Sequence, residues 1–289
     1  MDEAAGAGES KAGRRGTGVV LLLVATAIWG SSFAAMKLVL PGAPASLVNL
    51  GRFAIAAIAL APFARRDARL WARGAELGAW LFAGYATQIV GLNETSMDRS
   101  AFITSLAVVF VPLIGALAGR KVRKRVWIAA AAGVAGCALM CHDGQKPNAG
   151  DFWTLATAIF YAVYIARMEA VAPQFASLPL ASAQITTVMA LSAIWFVPHL
   201  SEVRSLPWAG LLYLGLACTA ATTWMQAIAQ KTVPAPQTAL VFTLEPVFAA
   251  GFGYVLFGQT LGERGMIGAG LIVAAAVAAC LQPGLTTEH

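Results

Sequence analysis

The sequence is poor in charge. Asp, Glu, Lys and Arg make up 12% of its 289 residues, whereas 58% are apolar and the mean hydropathy is +0.70. A composition so short of charge excludes a soluble globular protein and indicates a membrane protein. The sequence also lacks G-x-x-x-x-G-K-[ST], H-E-x-x-H and G-x-S-x-G. No motif therefore predicts a nucleotide site, a zinc protease or a serine hydrolase.

Histidine and cysteine are scarce as well, and their placement argues against metal chemistry. The chain has three histidines and four cysteines. Cys137, Cys141 and His142 share one apolar segment but lack a fourth ligand. Cys218 and Cys280 lie in apolar sequence, where cysteine usually acts as a small hydrophobe. We therefore expect no metal site, no cofactor and no enzymatic activity.

What the sequence has instead is a series of long apolar runs. A helix needs about 20 mostly apolar residues to cross a bilayer. Ten runs approach that length: 17–39, 45–63, 77–95, 99–118, 126–142, 151–171, 178–198, 208–230, 235–257 and 264–282. They predict an all-α membrane protein with ten transmembrane helices. Residues 1–16 are small, polar and charged, and we expect them to form a disordered tail.

The positive charges fall where membrane topology would place them. Lysine and arginine cluster in the stretches 11–15, 65–73 and 120–125, which ten spans would put on one side of the membrane. The positive-inside rule makes this side the cytoplasm, so that both termini are cytoplasmic. The formal charge of +6 is thereby accounted for, and we expect the lipid bilayer and no nucleic acid as partner.

The chain repeats itself. ATAI occurs at 25–28 and again at 156–159, and the prolines at positions 62 and 112 have counterparts at 198 and 246 in the same order. Two copies of a five-helix unit would enter the membrane from opposite sides, because five is odd. The sequence thus predicts two inverted five-helix repeats, residues 17–142 and 151–282, followed by a cytoplasmic tail at 283–289. Inverted repeats are typical of secondary transporters.

Polar side chains recur every three or four residues along the eighth run, at Thr219, Thr222, Thr223, Gln226 and Gln230. Such a stripe indicates a water-lined path, although it is equally compatible with hydrogen bonds between packed helices. Aromatic side chains on neighbouring runs could stack on a substrate or simply pack. The predicted substrate-binding residues are Trp29, Phe33, Tyr85, Gln88, Tyr161, Tyr164, Trp224 and Gln226.

Charges inside the apolar runs are functional candidates, because an unpaired charge is costly there. Glu245 lies near the centre of the ninth run and precedes Pro246, which should kink the helix and free a carbonyl. Pro112 takes the place of Pro246 in the first repeat, but Val111 replaces the acid. We predict coupling or gating roles for Glu245, Pro246, Pro112 and Arg52. Two hypotheses are a contact between Arg52 and Glu245 and proton coupling through Glu245.

Several of these stretches resemble the bacterial drug/metabolite transporter superfamily, EamA family. The resemblance is carried by GYATQIVGLNETSMDRSAFITSLAVVFVPLIGALAGRKV (84–122), by the WG pair at 29–30 and by WMQAIAQKTVPAPQTALVFTLEPVFAAGFGYVLFGQTLGERGMIGAGLIV (224–273). It implies a ten-helix inner-membrane exporter with a central cavity, similar to aromatic amino-acid exporters. The loop GRKVRKR (119–125) is basic where the family often has an acid, so no acidic role carries over.

The residues and the resemblance together predict a secondary transporter that exports small metabolites, such as amino acids, aromatic ones among them, by alternating access. Import or exchange of other metabolites is an alternative, as are a channel and an intramembrane enzyme. We expect a small-molecule substrate, a multi-pass location in the inner (plasma) membrane and a monomer or homodimer. GVAG (133–136) and GAG (268–270) allow close helix packing within or between chains.

Overall fold

The computed structural model describes residues 2–39, 44–95, 97–141, 146–198, 207–258 and 260–281. Of these, it describes the backbone alone at residues 2–12, 33, 34, 37, 38, 97, 98, 257 and 281. The described residues are helical almost throughout, and none of them forms a β-strand. The α-helices are α1 (Asp2–Val39), α2 (Ala45–Leu60), α3 (Ala68–Leu92), α4 (Met97–Ser105), α5 (Ala107–Leu117), α6 (Lys124–Cys141), α7 (Ala149–Val171), α8 (Ser177–Phe196), α9 (Trp208–Gly215), α10 (Thr222–Ala229), α11 (Ala235–Phe242), α12 (Glu245–Phe257) and α13 (Glu263–Leu281). The all-α prediction is therefore confirmed.

Nine helical segments in the described part of the chain are long and apolar enough to cross a membrane. They are Gly13–Ser32, Ala45–Phe63, Arg99–Leu117, Lys124–Cys141, Ala149–Gln174, Ser177–Phe196, Trp208–Ala229, Ala235–Leu256 and Glu263–Cys280. The predicted third span corresponds to α3, which is not among these nine segments. The protein is thus a multi-pass membrane protein.

Three of the predicted spans are not single regular helices. The fourth is divided into α4 and α5 at Leu106, and the ninth into α11 and α12 at Thr243 and Leu244. In the eighth, a π-helical segment at Leu216–Ala221 joins α9 to α10. Each interruption changes which backbone carbonyls are bonded within the helix, and two of the three border the cavity described below.

The structure describes the N-terminal one of the two predicted tails and not the C-terminal one. α1 begins at Asp2 and continues without a break into the first span. Residues 2–16, predicted as a disordered tail, are therefore helical here, and their alanine, glutamate, lysine and arginine residues are good helix formers. The predicted tail at 283–289 lies outside the described residues.

The helices pack in a set of paired contacts. α3 packs along α7 and α8, while α1 packs against α9, α10, α11 and α12. α4 and α5 pack on α7, and α2 packs on both α8 and α9. α6 packs along α13. The main apolar core cluster contains residues from most of these helices, so the interior is built between helices that are far apart in the sequence.

The crossing of α6 and α13 depends on two glycines. A Cβ at Gly268 would lie 2.5 Å from the carbonyl oxygen of Gly136, and a Cβ at Gly136 would lie 2.7 Å from that of Gly268. Neither backbone can yield without separating the helices. By contrast, a Cβ at Gly270, on the same helix, would have no neighbour within 4 Å.

We therefore expect Gly268→Ala to lower the free energy of unfolding by about 1–3 kcal/mol, the usual cost of overpacking. Gly270→Ala is the matched control and should leave stability unchanged or slightly raised, because alanine is the better helix former. Thermal unfolding of the purified variants in one detergent measures both. Equal melting temperatures for the two variants would show that the glycine contact does not limit packing.

Candidate functional site

A cavity lies between the helices and contains about 1200 Å³ of space not filled by atoms, including its open mouth. α1, α2, α3, the α4–α5 pair, α7, α10 and the α11–α12 pair all contribute to its wall. The lining residues are Trp29, Ser32, Met36, Arg52, Leu81, Tyr85, Gln88, Ile89, Leu92, Ala101, Thr104, Ser105, Ala107, Val108, Tyr161, Tyr164, Ile165, Thr223, Gln226, Ala239, Phe242, Thr243, Glu245 and Pro246. The wall is mostly apolar, with a few hydroxyls and amides and two charged groups.

Arg52 is one of the two charged groups. Its side chain is 4% exposed, and the π-helical segment holds it. Arg52 Nε donates to Thr219 Oγ1 at 3.0 Å and Nη2 donates weakly to the Cys218 carbonyl at 3.5 Å. The guanidinium carbon also lies 4.7 Å from the centroid of the Tyr85 ring, a distance suited to cation–π attraction. Arg52 is thus fixed in position by two other spans.

The π-helical segment matters because it alters the carbonyl pattern. Thr219 Oγ1 donates to the carbonyl of Leu214, five residues back, at 2.7 Å. The carbonyl of Cys218 in turn accepts from Trp29 Nε1 at 3.0 Å and from Thr222 Oγ1 at 2.9 Å, besides its weak bond from Arg52. Single π-helical turns are frequent at functional sites, and this one gathers groups from α1 and α2 at the cavity wall.

Aromatic side chains form a second, connected group. Tyr85 meets Tyr161 edge to face with centroids 5.7 Å apart, and Tyr161 Oη donates to Gln88 Oε1 at 3.1 Å. The ring of Tyr161 lies directly against Gly84, where any side chain would overlap it. Tyr164 Oη donates to the buried Gln184 Oε1 at 3.0 Å. The hydroxyls and amides are therefore held by one another, which orients the rings.

On the α1 side, Trp29 packs edge to face on Phe242, with centroids 4.9 Å apart. Because its indole N–H is already bonded to the Cys218 carbonyl and to Thr222 Oγ1, the ring has one favoured orientation. Trp29 thereby links α1 to the end of α11. The cavity thus has two aromatic parts to its wall, one formed by Trp29 and the other by the tyrosines.

At Gln226, the cavity wall continues into a chain of buried amide hydrogen bonds. Gln226 Nε2 donates to Gln230 Oε1 at 2.8 Å, and Gln230 Nε2 donates to the Ile165 carbonyl at 2.9 Å. All these atoms are buried. This chain connects α10 to α7 toward the end of α7 that carries Arg167, here called the Arg167 end.

Ion pairs hold both ends of α7. At the Arg167 end, Arg167 donates to Glu76 of α3, and Arg120 donates to Glu169 at 2.9 Å. Hydrogen bonding from Arg167 keeps the pKa of the Glu76 carboxyl, which precedes the apolar part of α3, below its usual range, so the pair stays charged at neutral pH. At the opposite end, Asp151 pairs with Arg99 at 2.9 Å and accepts from Thr95 at 3.0 Å.

Glu245 is the second charged group of the cavity. It is the first residue of α12 and is followed by Pro246. Within the described part of the chain, no side chain or backbone N–H donates to its carboxylate and no ion pair reaches it. The contact hypothesised between Arg52 and Glu245 is not formed, because Thr219 and the Cys218 carbonyl hold the guanidinium instead.

The cavity brings together nine of the twelve residues predicted for substrate binding, coupling or gating: Trp29, Arg52, Tyr85, Gln88, Tyr161, Tyr164, Gln226, Glu245 and Pro246. Trp224 does not line it. It follows Thr223 by one helical position, so its ring points away and packs on the apolar core. Pro112 is buried inside α5, beyond the cavity wall. The side chain of Phe33 lies outside the described residues.

Other lining residues were not predicted. Ser32, Ser105 and Thr243 lack a polar partner at helical spacing in the sequence, so periodicity did not mark them. Ser105 and Thr243 immediately precede or occupy the helix interruptions. Their hydroxyls donate to the carbonyls of Phe102 and Leu240, at 2.6 and 2.7 Å. A serine or threonine inside an apolar run, whose hydroxyl can bond back to a carbonyl three or four residues earlier and bend the helix, is the signal that could have found them.

Nothing in the described part of the chain groups three His, Cys, Asp or Glu side chains in a way that could hold a metal ion. What the cavity offers is a mostly apolar, aromatic surface with one guanidinium, one carboxylate and several amides, which is suited to binding a small amphipathic molecule.

Comparison with known proteins agrees with this architecture. The sequence profile of the EamA-like transporter family matches residues 16–141 and again residues 148–280. Two proteins of Archaeoglobus fulgidus, each described as an uncharacterized transporter, are 29% and 25% identical to the chain. The first alignment covers 91% of this chain and 85% of the relative, and the second covers 75% and 80%.

A solved crystal structure, described only as that of a protein, superposes with a TM-score of 0.76 at 18% identity, over 91% of this chain and 96% of that one. At this identity the likeness shows the fold alone. The family match, in contrast, covers nearly the whole chain in two successive segments. The chain belongs to the EamA-like transporter family and is a membrane transporter.

Proposed function

We propose that this transporter exports small amphipathic metabolites, amino acids and aromatic ones among them, across the inner (plasma) membrane by alternating access. The observation that carries the proposal is the cavity, which helices from both halves of the chain enclose and which combines aromatic rings with one guanidinium and one carboxylate. A zwitterion with an apolar side chain matches those groups in charge and polarity. Trp29, Tyr85, Gln88, Tyr161, Tyr164 and Gln226 are the proposed contacts.

The mechanism rests on ten spans arranged as two inverted five-helix repeats, 17–142 and 151–282. Three observations support this arrangement. The family profile matches the chain twice, once in each proposed repeat. The packing of α3 on α7 has its counterpart in that of α1 on α10, and α4 and α5 on α7 in α11 and α12 on α1. α6 and α13, the fifth helix of each repeat, pack on each other.

Inverted repeats can exchange conformations and so open a midplane site to either side in turn. In the described conformation, the amide chain from Gln226 to Ile165 and the two ion pairs close the Arg167 end. With the basic loops on the cytoplasmic side, this end faces the cytoplasm. Opening toward the cytoplasm would then require α7 to part from α3 and α10.

Counterflow in proteoliposomes tests the proposal. Vesicles loaded with unlabelled substrate are diluted into radiolabelled substrate, and each of a panel of amino acids and nucleosides is compared. A carrier should accumulate label transiently for the aromatic amino acids. A channel would equilibrate the label without overshoot, and an importer would show the opposite directional preference in energised right-side-out and inverted vesicles. Absence of counterflow for every compound would contradict the proposal.

The orientation of the chain in the membrane is tested separately. We propose that both termini are cytoplasmic and that the transporter works as a monomer or homodimer in the bilayer, with no nucleic acid partner. Single cysteines placed near each terminus, in a variant without native cysteines, should be labelled by an impermeant maleimide in inverted vesicles and not in intact cells. Labelling of the two termini from different sides would exclude the inverted-repeat arrangement.

A further inference from the structure

The break between α11 and α12 leaves backbone carbonyls without donors. Pro246 has no N–H to give to the carbonyl of Phe242, four residues earlier. Leu244 N donates to the Val241 carbonyl at 3.1 Å, and Phe248 N donates to the Leu244 carbonyl at 3.0 Å. The carbonyl of Thr243, between these two acceptors, receives neither bond. No other donor to that carbonyl is found in the described part of the chain.

Two side-chain oxygens lie in the same cavity wall. The Glu245 carboxylate, next to the break, has no hydrogen-bond or ion-pair partner among the described residues. Thr104 Oγ1 is buried and also lacks a partner within them. Thr104 belongs to α4, which packs against α12. The carboxylate and the hydroxyl therefore belong to two spans that contact each other and line the same cavity as the break.

Unpaired oxygens of this kind are costly in an apolar interior unless something neutral or positive satisfies them. A proton on Glu245 would make the carboxyl a donor to a single oxygen. A metal cation, in contrast, coordinates several oxygens at once, and hard cations prefer carboxylate, carbonyl and hydroxyl ligands.

The charge of the site limits the ion. Glu245 is the single carboxylate among the lining residues, and the described chain holds no cluster of acidic, histidine or cysteine side chains for a multivalent ion. One carboxylate neutralises one positive charge. A monovalent ion therefore leaves the ion and the Glu245 carboxylate neutral as a pair, whereas a divalent ion would add a second positive charge to a cavity that already contains Arg52.

We propose that the α11–α12 break binds an alkali-metal cation through the Glu245 carboxylate, the carbonyl oxygens of Phe242 and Thr243 and the hydroxyl of Thr104. The site deepens the proposed function and rests on it, since ion binding beside the substrate cavity would couple export to an ion gradient. Half-helix ends and unwound carbonyls bind coupling ions in other secondary transporters. The first repeat has Val111 where the second has Glu245, so it contributes no second carboxylate.

The test is equilibrium binding of radiolabelled Na⁺ to the purified full-length transporter in nanodiscs, with choline chloride holding ionic strength constant. We expect saturable binding of one ion per chain. Glu245→Gln should weaken the affinity by about tenfold or more, since it removes a charged ligand, and Thr104→Val by a few-fold. Glu263→Gln removes an exposed carboxylate at the start of α13 and should change nothing. Competition by unlabelled K⁺ and Li⁺ ranks the alkali ions.

Pro246→Ala is the sharpest variant, because it keeps the carboxylate but returns an N–H to the carbonyl of Phe242. We expect it to weaken Na⁺ binding as well. Each variant is first checked for a monodisperse elution profile and a cooperative melt in choline. If Glu245→Gln does not fold, Thr104→Val and Pro246→Ala decide the question.

Three results would overturn the proposal. They are the absence of saturable binding of any alkali ion, Na⁺ binding that Glu245→Gln leaves unchanged, and occupancy of the site that changes with proton concentration but not with Na⁺ concentration. The last result would identify a proton site. Counterflow without ion gradients separates this inference from the proposed function. Substrate exchange without ion binding defeats the ion site alone, and ion binding without exchange of any substrate defeats the proposed export.

Discussion

Arg52→Met is expected to reduce counterflow about 10- to 100-fold while leaving the fold intact. The guanidinium makes one good hydrogen bond, one weak one and one cation–π contact in the cavity wall. Hydrogen bonds to charged groups contribute about 1.5–3 kcal/mol each, and every 1.4 kcal/mol corresponds to about tenfold in rate. If Arg52 positions substrate or the π-helical segment in the transport step, losing these contacts costs rates in that range.

The fold should survive because the partners of Arg52 keep other bonds. The Cys218 carbonyl still accepts from Trp29 and Thr222, and the Thr219 hydroxyl still donates to Leu214. Methionine is flexible and apolar and can fill the space of the arginine stem. A melting temperature close to that of the wild type, together with lost counterflow, is therefore the expected combination.

Arg52→Lys separates charge from shape. Lysine keeps the positive charge but lacks the planar fork that reaches Thr219 and lies over Tyr85 at the same time. We expect it to recover only part of the activity. Arg66→Met, in the exposed segment before α3, is the matched control and should transport normally. Full activity of Arg52→Met would remove Arg52 from the transport mechanism.

Gly84→Ala should have the second large effect, because it acts on the aromatic wall through a single methyl group. A Cβ at Gly84 would overlap the ring of Tyr161. The ring must then move, which strains its hydrogen bond to Gln88 and its contact with Tyr85. We expect counterflow to fall about tenfold or more and the free energy of unfolding to fall by about 1–3 kcal/mol, as in other overpacked sites.

A double-mutant cycle identifies the cause. In a Tyr161→Ala background the space beside Gly84 is empty, so Gly84→Ala should cost much less there than in the wild type. Ala79→Val adds methyl groups on the exposed face of the same helix and should be neutral. Counterflow and melting temperature are measured for all four members of the cycle. Additive effects would mean that the glycine is needed for some reason other than the tyrosine ring.

Much of the helix layout could be predicted from the length of the apolar runs, since a run of apolar residues has few alternatives to a helix inside a bilayer. The stripe at Thr219, Thr222, Thr223 and Gln226 also followed, because an i, i+3, i+4 pattern fixes a helix face. Thr223 and Gln226 line the cavity. Pro246 marked the break between α11 and α12, since a missing N–H is visible in the sequence.

The interruptions without such a signal could not be predicted. The π-helical segment at Leu216–Ala221 contains no proline or glycine, and its extra residue per turn depends on hydrogen bonds from α1 and α2. The division at Leu106 lies more than a turn before Pro112 and belongs to packing rather than to that proline. Trp224 packs on the apolar core and not in the cavity wall, and the sequence did not show this because aromatic character says nothing about the direction in which a helix turns its side chains.

The wide turn between α9 and α10 has one more consequence. α3, the third span of the first proposed repeat, is a regular α-helix from Ala68 to Leu92, whereas its counterpart in the second proposed repeat carries the π-helical insertion. When two halves with different helix geometry exchange their conformations, the two resulting states of the protein differ in free energy. In the proposed mechanism, one of the two conformations, open to one side of the membrane, should therefore be the more populated even when the substrate concentrations on the two sides are equal.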